Sequence, residues 1–340
     1  MPAYNTAAYL EQALISLQQS LQEDYEVWLI DDGSVDDTFQ LLRKFADQHP
    51  NVHALTQKNS GPAHARNVGL TYASGEYIFF MDSDDYIEPS SIDMLVQSIE
   101  RDQADVVVSG IYEETPDTVT ETRYSACRFR SRQEYLQQAV ALWDTHLLYT
   151  MGNKLYRASF LKEHDICFPE EYVFGEDTRF NMKVFEEAQR ISVLDRSYYH
   201  YVRERPGSTT TQYKDGLFEI RNAEYELFWD YFKRQDLLTE EGIEYLSRRH
   251  AERIAGCVVN LFLPGNVLST RCKIREIKKI CCTDYTGLAL EYAKLRSRKM
   301  KLVLWPVKQR LVGLTFVIGA VIAFVQTHLP GLFLRLKAAR

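Results

Sequence analysis

The sequence has few of the residues that mark disulfide-rich, collagen-like or low-complexity chains. Six cysteines are scattered over 340 residues without a CxxC pair, and glycine and proline number 16 and 10. These counts exclude a disulfide framework and a low-complexity class. The first twenty residues contain no apolar run of the kind that a signal peptide needs, so we expect a protein of a reducing, cytoplasmic compartment.

Strong hydrophobicity is also missing. The mean hydropathy of −0.32 excludes a polytopic membrane protein, while 45% apolar and 26% charged residues are typical of a chain that buries a core. Residues 311–325 form an apolar stretch of fifteen residues, whereas a helix that spans a membrane needs about 20. This stretch therefore predicts a helix that lies on a membrane surface or forms an oligomer.

Acidic residues are absent from the end of the chain. From Tyr292 to Arg340 there are ten Lys and Arg residues and no Asp or Glu, so the net charge of −7 hides −17 on the preceding residues. The acidic body argues against a nucleic-acid-binding protein. The basic, apolar tail predicts contact with an anionic surface, which places the protein at the inner face of the cell membrane, and a homo-oligomer is the alternative.

Strand and helix patterns alternate over the first 110 residues. Short apolar runs at 25–30, 52–56, 76–81 and 105–110 alternate with segments of helical spacing, which predicts an α/β fold with a mostly parallel sheet flanked by helices. Residues 216–300 are predicted to be helical, and residues 301–340 form an apolar, basic tail. The chain opens on what resembles the end of a strand and the loop after it, so we expect a strand that begins before Pro2.

Acidic clusters follow two of the predicted strands. Asp31-Asp32 and Asp82-Ser83-Asp84-Asp85 are both expected at the sheet edge where open α/β sheets bind ligands. Four or more carboxylates gathered there repel one another unless a cation joins them, which predicts a site for Mg²⁺ or Mn²⁺ and a diphosphate. The alternative is that the aspartates cap turns and helices, and we favour it for Ser34 and Asp36.

No glycine-rich phosphate loop supports a dinucleotide or P-loop site. Arginines are then the candidates for phosphate contacts, and the sequence offers Arg66, Arg203 and Arg205. The alternative for each is a solvent-exposed arginine that binds no phosphate. Glu176 and Asp177 precede an apolar helical pattern. They are either acids favoured by the helix dipole or a general base beside the metal site.

Eight motifs in order along residues 2–210 resemble the family-2 glycosyltransferases of GT-A fold, and most closely the bacterial enzymes that build cell-surface polysaccharides. The motifs are Pro2-Ala-Tyr-Asn5, Ile30-Asp-Asp-Gly-Ser34, Asn59-Ser-Gly61 with Ala65-Arg-Asn67, Gly75-Glu-Tyr-Ile78, Asp82-Ser-Asp-Asp85, Asn153-Lys-Leu-Tyr156, Phe174-Gly-Glu-Asp177, and Tyr198-Tyr-His-Tyr-Val-Arg203 with Ser208. The resemblance implies a catalytic domain over residues 1–215, with the nucleotide-sugar side in 1–110 and the acceptor side in 111–215.

The resemblance also implies a role for each matching residue. The nucleotide-sugar would be held by Ala3, Tyr4, Asp32, Asn59, Arg66, Asp82, Arg203 and Ser208. Asp82 and Asp84 match the DxD motif that holds Mn²⁺ or Mg²⁺, and Asp177 matches the catalytic base, with Glu176 in support. The departure from the pattern is the missing apolar strand before Pro2.

These roles predict an inverting transfer from a nucleotide-sugar, UDP-linked, to a saccharide or lipid-linked acceptor. Two other readings stay open. A nucleotidyltransferase also presents acids to a metal and a nucleotide, but it leaves Glu176-Asp177 unexplained. A non-catalytic sugar-nucleotide-binding or scaffold protein of a polysaccharide assembly complex would keep Asp32 and Asp84 without turnover.

Overall fold

The computed structural model describes residues 1–172, 175–203, 213–329 and 331. The chain divides into two compact units, Met1–Glu204 and Arg205–Arg340. All strands in the described residues lie in the first unit: β1 Pro2–Ala3, β2 Val27–Asp31, β3 Val52–Thr56, β4 Tyr77–Phe79, β5 Tyr86–Ile87, β6 Val106–Glu114, β7 Val119–Thr122, β8 Cys127–Phe129, β9 Lys154–Arg157 and β10 Ile191–Val202.

Fourteen helices are found in the described ranges. Those of the first unit are α1 Leu10–Ser20, α2 Thr38–Ala46, α3 Pro62–Tyr72, α4 Ser91–Asp102, α5 Arg132–Leu136, α6 Ala139–Asp144, α7 Ala158–Glu163 and α8 Glu176–Glu187. Those of the second unit are α9 Leu217–Arg234, α10 Glu240–Asn260, α11 Thr270–Cys282, α12 Asp284–Tyr292, α13 Arg298–Lys308 and α14 Val312–His328.

The first unit contains two sheets. β1, β2 and β3 pair in parallel, as βαβ connections require. The second sheet has the order β4-β9-β6-β10-β5, with β7 beside β6 and β8 beside β10. β6 and β10 are parallel, whereas the other pairs of this sheet are antiparallel. The predicted α/β class is confirmed, and the second sheet also contains antiparallel pairs that were not predicted.

A cavity of about 610 Å³ separates the two sheets between β2 and β4. Pro2 and Ala3 pair only with Ile30 and Asp31, so the first half of β2 has no strand on this side. β4 pairs with β9 alone. We call this cavity the strand slot. It is lined mainly by apolar residues of α1, α3, α4, β2 and β4.

The second unit is helical, as the sequence predicts for 216–300. Its core is built from buried residues of α10, α11 and α12, together with Leu304 and Val307 of α13. Thr239 is the N-cap of α10, because its hydroxyl oxygen accepts a hydrogen bond from the Gly242 amide. Across the described residues, no helix has both the length and the apolarity that a membrane crossing requires.

Candidate active site

The loops after β1 and β2 hold each other in place. The Asp32 amide donates to the Ala3 carbonyl oxygen at 2.8 Å. The Asp32 carboxylate accepts hydrogen bonds from the Gln57 side chain at 2.7 Å and from the amides of Ser60 and Gly61 at 2.9 and 2.8 Å. Asp32 is therefore almost fully buried and fixes the loop that leads into α3.

Ser34 and Asp36 accept hydrogen bonds from backbone and side-chain groups near the start of α2. The Ser34 hydroxyl oxygen accepts from the Asn5 amide at 2.9 Å, and Asp36 accepts from the amide and hydroxyl of Thr38 at 3.1 and 2.6 Å. Asp36 thus caps the turn before α2, whereas Ser34 joins the loops after β1 and β2. Neither residue is the N-cap of α2, which is Asp37.

Arg66 on α3 joins two of the predicted acidic sites. Its guanidinium donates to Asp82 Oδ1 at 2.8 Å and to Glu176 Oε1 at 3.1 Å, and it lies over the Phe168 ring, 5.3 Å from the centroid. Burial opposes its charge, but the charge of Asp82 and the hydrogen bond to it raise the pKa of Arg66 above its ordinary value. A buried, permanently charged guanidinium thus tethers the end of β4 to the start of α8.

The turn at 82–85 is held by hydrogen bonds to β10. Tyr199 donates its hydroxyl proton to Asp85 Oδ2 at 2.6 Å and accepts from the Asp82 amide at 3.2 Å. The Val202 amide donates to Asp85 Oδ1 at 2.9 Å. Burial, followed by the charges of Asp82 and Asp84, raises the pKa of Asp85 well above its ordinary value. Asp85 is an inward-facing support of the turn that presents Asp82 and Asp84.

Asp177 lies in the first turn of α8, beside Glu176. Its Oδ1 accepts from the Thr178 amide at 2.7 Å. Burial, and next the negative charge of Glu176, raise the pKa of Asp177 to about 6, although Arg66 acts in the opposite direction. A carboxyl group with a pKa near neutrality is suited to accept a proton and release it again.

A buried polar network surrounds the start of β9. Lys154 Nζ donates to the carbonyl oxygens of Leu147 and Thr150 and to Asn153 Oδ1. Burial lowers the pKa of Lys154, and the nearby Asp177 opposes that shift. Asn153 in turn donates to the Ser109 carbonyl oxygen at 2.7 Å. The Asn153-Lys154 motif therefore holds the segment that precedes β9 against β6.

The expected gathering of four or more carboxylates around one cation is not what the structure shows. Asp31 accepts from Thr56 at 2.7 Å, Asp32 from the 57–61 loop, and Asp85 from Tyr199. In the described part of the chain, no group of three or more His, Cys, Asp or Glu side chains is arranged to hold a metal by itself. Hydrogen-bond donors of the protein therefore satisfy Asp31, Asp32 and Asp85, which the sequence analysis expected to gather around the cation.

The other predicted contacts are spread around this centre. Ala3 is buried, whereas Tyr4 and Asn59 are exposed. Arg203 follows β10 with its guanidinium 3.5 Å from Glu113 and over the Tyr201 ring. Ser208, Arg205 and Phe174 lie outside the described residues.

The profile of glycosyl transferase family 2 matches residues 1–165, the stretch that contains β1 to β9. Residues 1–165 belong to this family. The family resemblance inferred from the motifs is thereby confirmed over these residues, which make up most of the first unit.

Known proteins are similar to most or part of this chain. EpsJ of Bacillus subtilis (strain 168), an uncharacterized glycosyltransferase, is 28% identical over 92% of this chain and 92% of its own. The poly(ribitol-phosphate) β-N-acetylglucosaminyltransferase TarS of Staphylococcus aureus (strain Mu50) is 33% identical over 61% of this chain but only 35% of TarS. The crystal structure of S. aureus TarS 1-349 has the same GT-A fold, with a TM-score of 0.62 and 23% identity over 94% of this chain and 88% of that one.

The sequence analysis did not assign a role to Tyr199 or Asn181. Tyr199 holds the 82–85 turn, and Asn181, a buried residue of α8, accepts from the Tyr156 hydroxyl at 2.9 Å. Tyr199 stands inside a quoted motif, but nothing in its local pattern indicates which strand it faces. These two contacts join residues that are 114 and 25 positions apart along the chain, and only the fold reveals them.

Proposed function

We propose that this glycosyltransferase moves a sugar from a UDP-linked donor to a saccharide or lipid-linked acceptor, with inversion, in the synthesis of a cell-surface polysaccharide. The observation that carries the proposal is the cluster in which Arg66 joins Asp82 to Glu176 while the neighbouring Asp177 has a pKa near 6. TarS, which transfers N-acetylglucosamine to poly(ribitol-phosphate), supports the substrate class, and TarS 1-349 has been crystallised with UDP and with UDP-GlcNAc.

Asp177 acts in this proposal as the general base. It accepts the proton of the acceptor hydroxyl as that oxygen attacks the anomeric carbon, and the bond from this carbon to the diphosphate oxygen breaks on the opposite face. A positioned base of this kind contributes about 10²–10⁴-fold to the rate. One displacement on the far face inverts the anomeric centre, and Glu176 keeps Arg66 and the start of α8 in place.

Asp82 and Asp84 offer the hard carboxylate oxygens that Mg²⁺ and Mn²⁺ prefer. Mg²⁺ is commonly bound by one or two carboxylates together with waters and substrate phosphates, so two acids on one turn fit it without a third protein ligand. The ion would neutralise charge that develops on the leaving diphosphate. Arg66 donates to one oxygen of Asp82, so the ion would share this carboxylate with the guanidinium.

The remaining roles are proposed on position. Ala3, Tyr4, Asp32 and Asn59 surround the nucleoside end of the site, whereas Arg203 and Ser208 belong to the segment that covers the donor. Residues 1–110 thus form the nucleotide-sugar side and residues 111–215 the acceptor side. We place the protein at the cytoplasmic face of the cell membrane, where a lipid-linked acceptor is available.

A donor panel tests the reaction class. Full-length protein is incubated with UDP-sugars and other nucleotide-sugars in Mn²⁺, Mg²⁺ or EDTA, and nucleotide release and donor binding are measured separately. Metal-dependent release from a UDP-sugar is expected. Donor binding without release, in the presence of cell-derived acceptors, would favour the scaffold alternative and contradict the proposal.

The variant Asp177→Asn tests the base. It keeps the size of the side chain but removes its basicity, so we expect turnover to fall at least about 100-fold while the Kd for UDP changes less than twofold. Asp117→Asn, on the exposed turn between β6 and β7, is the matched control and is expected to retain activity. Near-normal turnover of Asp177→Asn would remove the assignment.

A further inference from the structure

Helix α14 in the second unit buries its small residues most completely. Its buried positions are the small residues Thr315, Gly319 and Ala323, each nearly inaccessible to solvent. A Cβ atom added at Gly319 would lie 2.7 Å from Val258 of α10, so close packing depends on this glycine. Small residues at an interface allow two helix backbones to approach closely.

Although Val312 and Phe316 of α14 pack against the core, four other large apolar side chains of this helix are exposed. They recur at helical spacing along one stripe, and more than 40% of the surface of each is accessible to solvent; these residues are Leu314, Val317, Val321 and Phe324. Leu302 and Trp305 of the preceding helix α13 are exposed as well, at 71% and 52%. We call these six residues the α13–α14 apolar surface.

Charge indicates which partner covers this surface. The chain from Tyr292 to its end has no acidic residue, and the exposed residues Arg298, Lys301 and Arg310 lie on or beside the two helices. Two copies meeting through this surface would bring like charges together, whereas an anionic lipid surface attracts each Lys or Arg. Tryptophan at the edge of an apolar surface is typical of the membrane interface.

We propose that the α13–α14 apolar surface binds the surface of an anionic lipid bilayer, with both helices lying in the plane of the membrane. The 17 residues of α14 are too few to cross the hydrocarbon core, while the apolar stripe and its basic flank match an interfacial helix. This inference is independent of the proposed sugar transfer, because it concerns only the second unit.

Flotation of the full chain with vesicles tests the proposal. We expect at least about tenfold more protein on vesicles that contain phosphatidylglycerol than on phosphatidylcholine alone, and a loss of the difference in 1 M salt. The variant Val317→Ser/Val321→Ser/Phe324→Ser should lower binding to anionic vesicles about tenfold or more. The matched control Val119→Ser/Val267→Ser changes other exposed valines, at 62% and 95% exposure, and should bind as the unchanged protein does.

Two further measurements separate lipid binding from self-association of the chain. Arg298→Gln/Lys301→Gln should weaken binding to anionic vesicles only. Brominated lipids should quench Trp305, seen as the difference between the unchanged protein and Trp305→Phe, and this readout does not depend on the folding of the triple variant. The proposal is overturned if the unchanged protein does not float with anionic vesicles. It is equally overturned if sedimentation shows a dimer that the triple variant abolishes while vesicle binding is unaffected.

Discussion

At the scale of single residues, the surroundings of Asp177 set the pH at which it acts as a base. Burial and the adjacent Glu176 charge raise its pKa to about 6. The carboxyl group is therefore deprotonated and competent above that pH and becomes protonated as the pH falls through it. We expect kcat/KM for sugar transfer to fall about tenfold for each pH unit below 6.

A pH–rate profile from pH 4.5 to 8 provides the measurement. Because donor binding precedes proton transfer, UDP affinity is measured over the same range as a control. An acid limb near pH 4, in the ordinary range for aspartate, would contradict the role given to the buried carboxyl group.

Tyr199 is expected to position the 82–85 turn through its hydroxyl group. Tyr199→Phe leaves the ring in place but removes the proton donated to Asp85 and the acceptor of the Asp82 amide. A buried carboxyl group that loses a donor costs about 1–3 kcal/mol of stability, and the turn that presents Asp82 and Asp84 should loosen. We predict a higher KM for the donor and a lower melting temperature.

The control is Tyr198→Phe. Tyr198 precedes Tyr199 on the same strand and packs against the hydrophobic cluster that contains Leu95 and Ile99 of α4. Titration of Mn²⁺ separates positioning from a purely structural effect, because a loosened turn should require more metal for half-maximal activity. An unchanged metal requirement, with only the melting temperature lowered, would argue against positioning.

At the scale of secondary structure, the sequence predicted most of the elements and fewer of the contacts between them. The runs at 25–30 and 52–56 became β2 and β3, and the helical patterns became α1 to α4, because local periodicity carries this information. The antiparallel pairing of β9 with β4 and β6 was not predicted. Pairing depends on partners that are distant in sequence, and one apolar strand pattern fits several of them.

The site follows the same division. The sequence indicated Arg66, Asp82 and Glu176 as separate candidate site residues, which are joined by ion pairs in the structure. It did not reveal that Asp31, Asp32 and Asp85 accept hydrogen bonds from their own surroundings. An aspartate that caps a loop and an aspartate that binds a ligand are the same residue type in the sequence, so only their hydrogen-bond partners in the structure distinguish them.

Gly152, between α6 and β9, is predicted to be indispensable for the packing of β10. A Cβ atom at this position would lie 1.9 Å from the Tyr199 ring, which cannot move without releasing Asp85. Gly152→Ala is therefore expected to destabilise the first unit by about 1–3 kcal/mol or more. Thermal unfolding measures the effect.

Gly256→Ala is the matched control for this substitution. Gly256 lies inside α10, and a Cβ atom there meets nothing within 4 Å. Alanine is favoured over glycine in a helix by about 1 kcal/mol, so the control should be neutral or stabilising. Equal melting temperatures for the two variants would show that the Gly152 backbone adjusts without cost.

At the scale of the whole first unit, the strand slot lies between the three-stranded and the seven-stranded sheet. A strand in the slot could join them into one continuous sheet. The Met1 amino group donates to the Trp28 carbonyl oxygen at 2.8 Å and so makes the last rung of the β1–β2 ladder. Burial, followed by the charge of Arg66, lowers the pKa of this amino group to about 5. A charged terminus here is costly, whereas a peptide bond at the same place would continue the ladder.

Adding residues before Met1 tests the capacity of the slot. Since Pro2 lies opposite Ile30, each added residue would pass one further residue of β2, and five would reach the level of Asp24, which lines the slot. Helices α3 and α4 both contribute to the lining, so an occupant buried on both faces must be apolar throughout. We therefore expect the extension Met-Ser-Val-Ile-Val-Val-Ile to insert as a strand parallel to β2.

The melting temperature of the first unit should rise by about 5 °C or more, because several aliphatic side chains become buried. Hydrogen exchange of the amides in 27–29 and 77–79 should slow in the same protein. An extension of equal length, Met-Ser-Gly-Ser-Gly-Ser-Gly, should produce neither change. Leu70→Ser makes the slot wall polar. This substitution should lower the melting temperature more in the extended protein than in the unextended one, because the wall contacts an inserted strand only in the extended protein. If the aliphatic and the glycine-serine extensions give equal melting temperatures and equal exchange, the slot does not accept a strand.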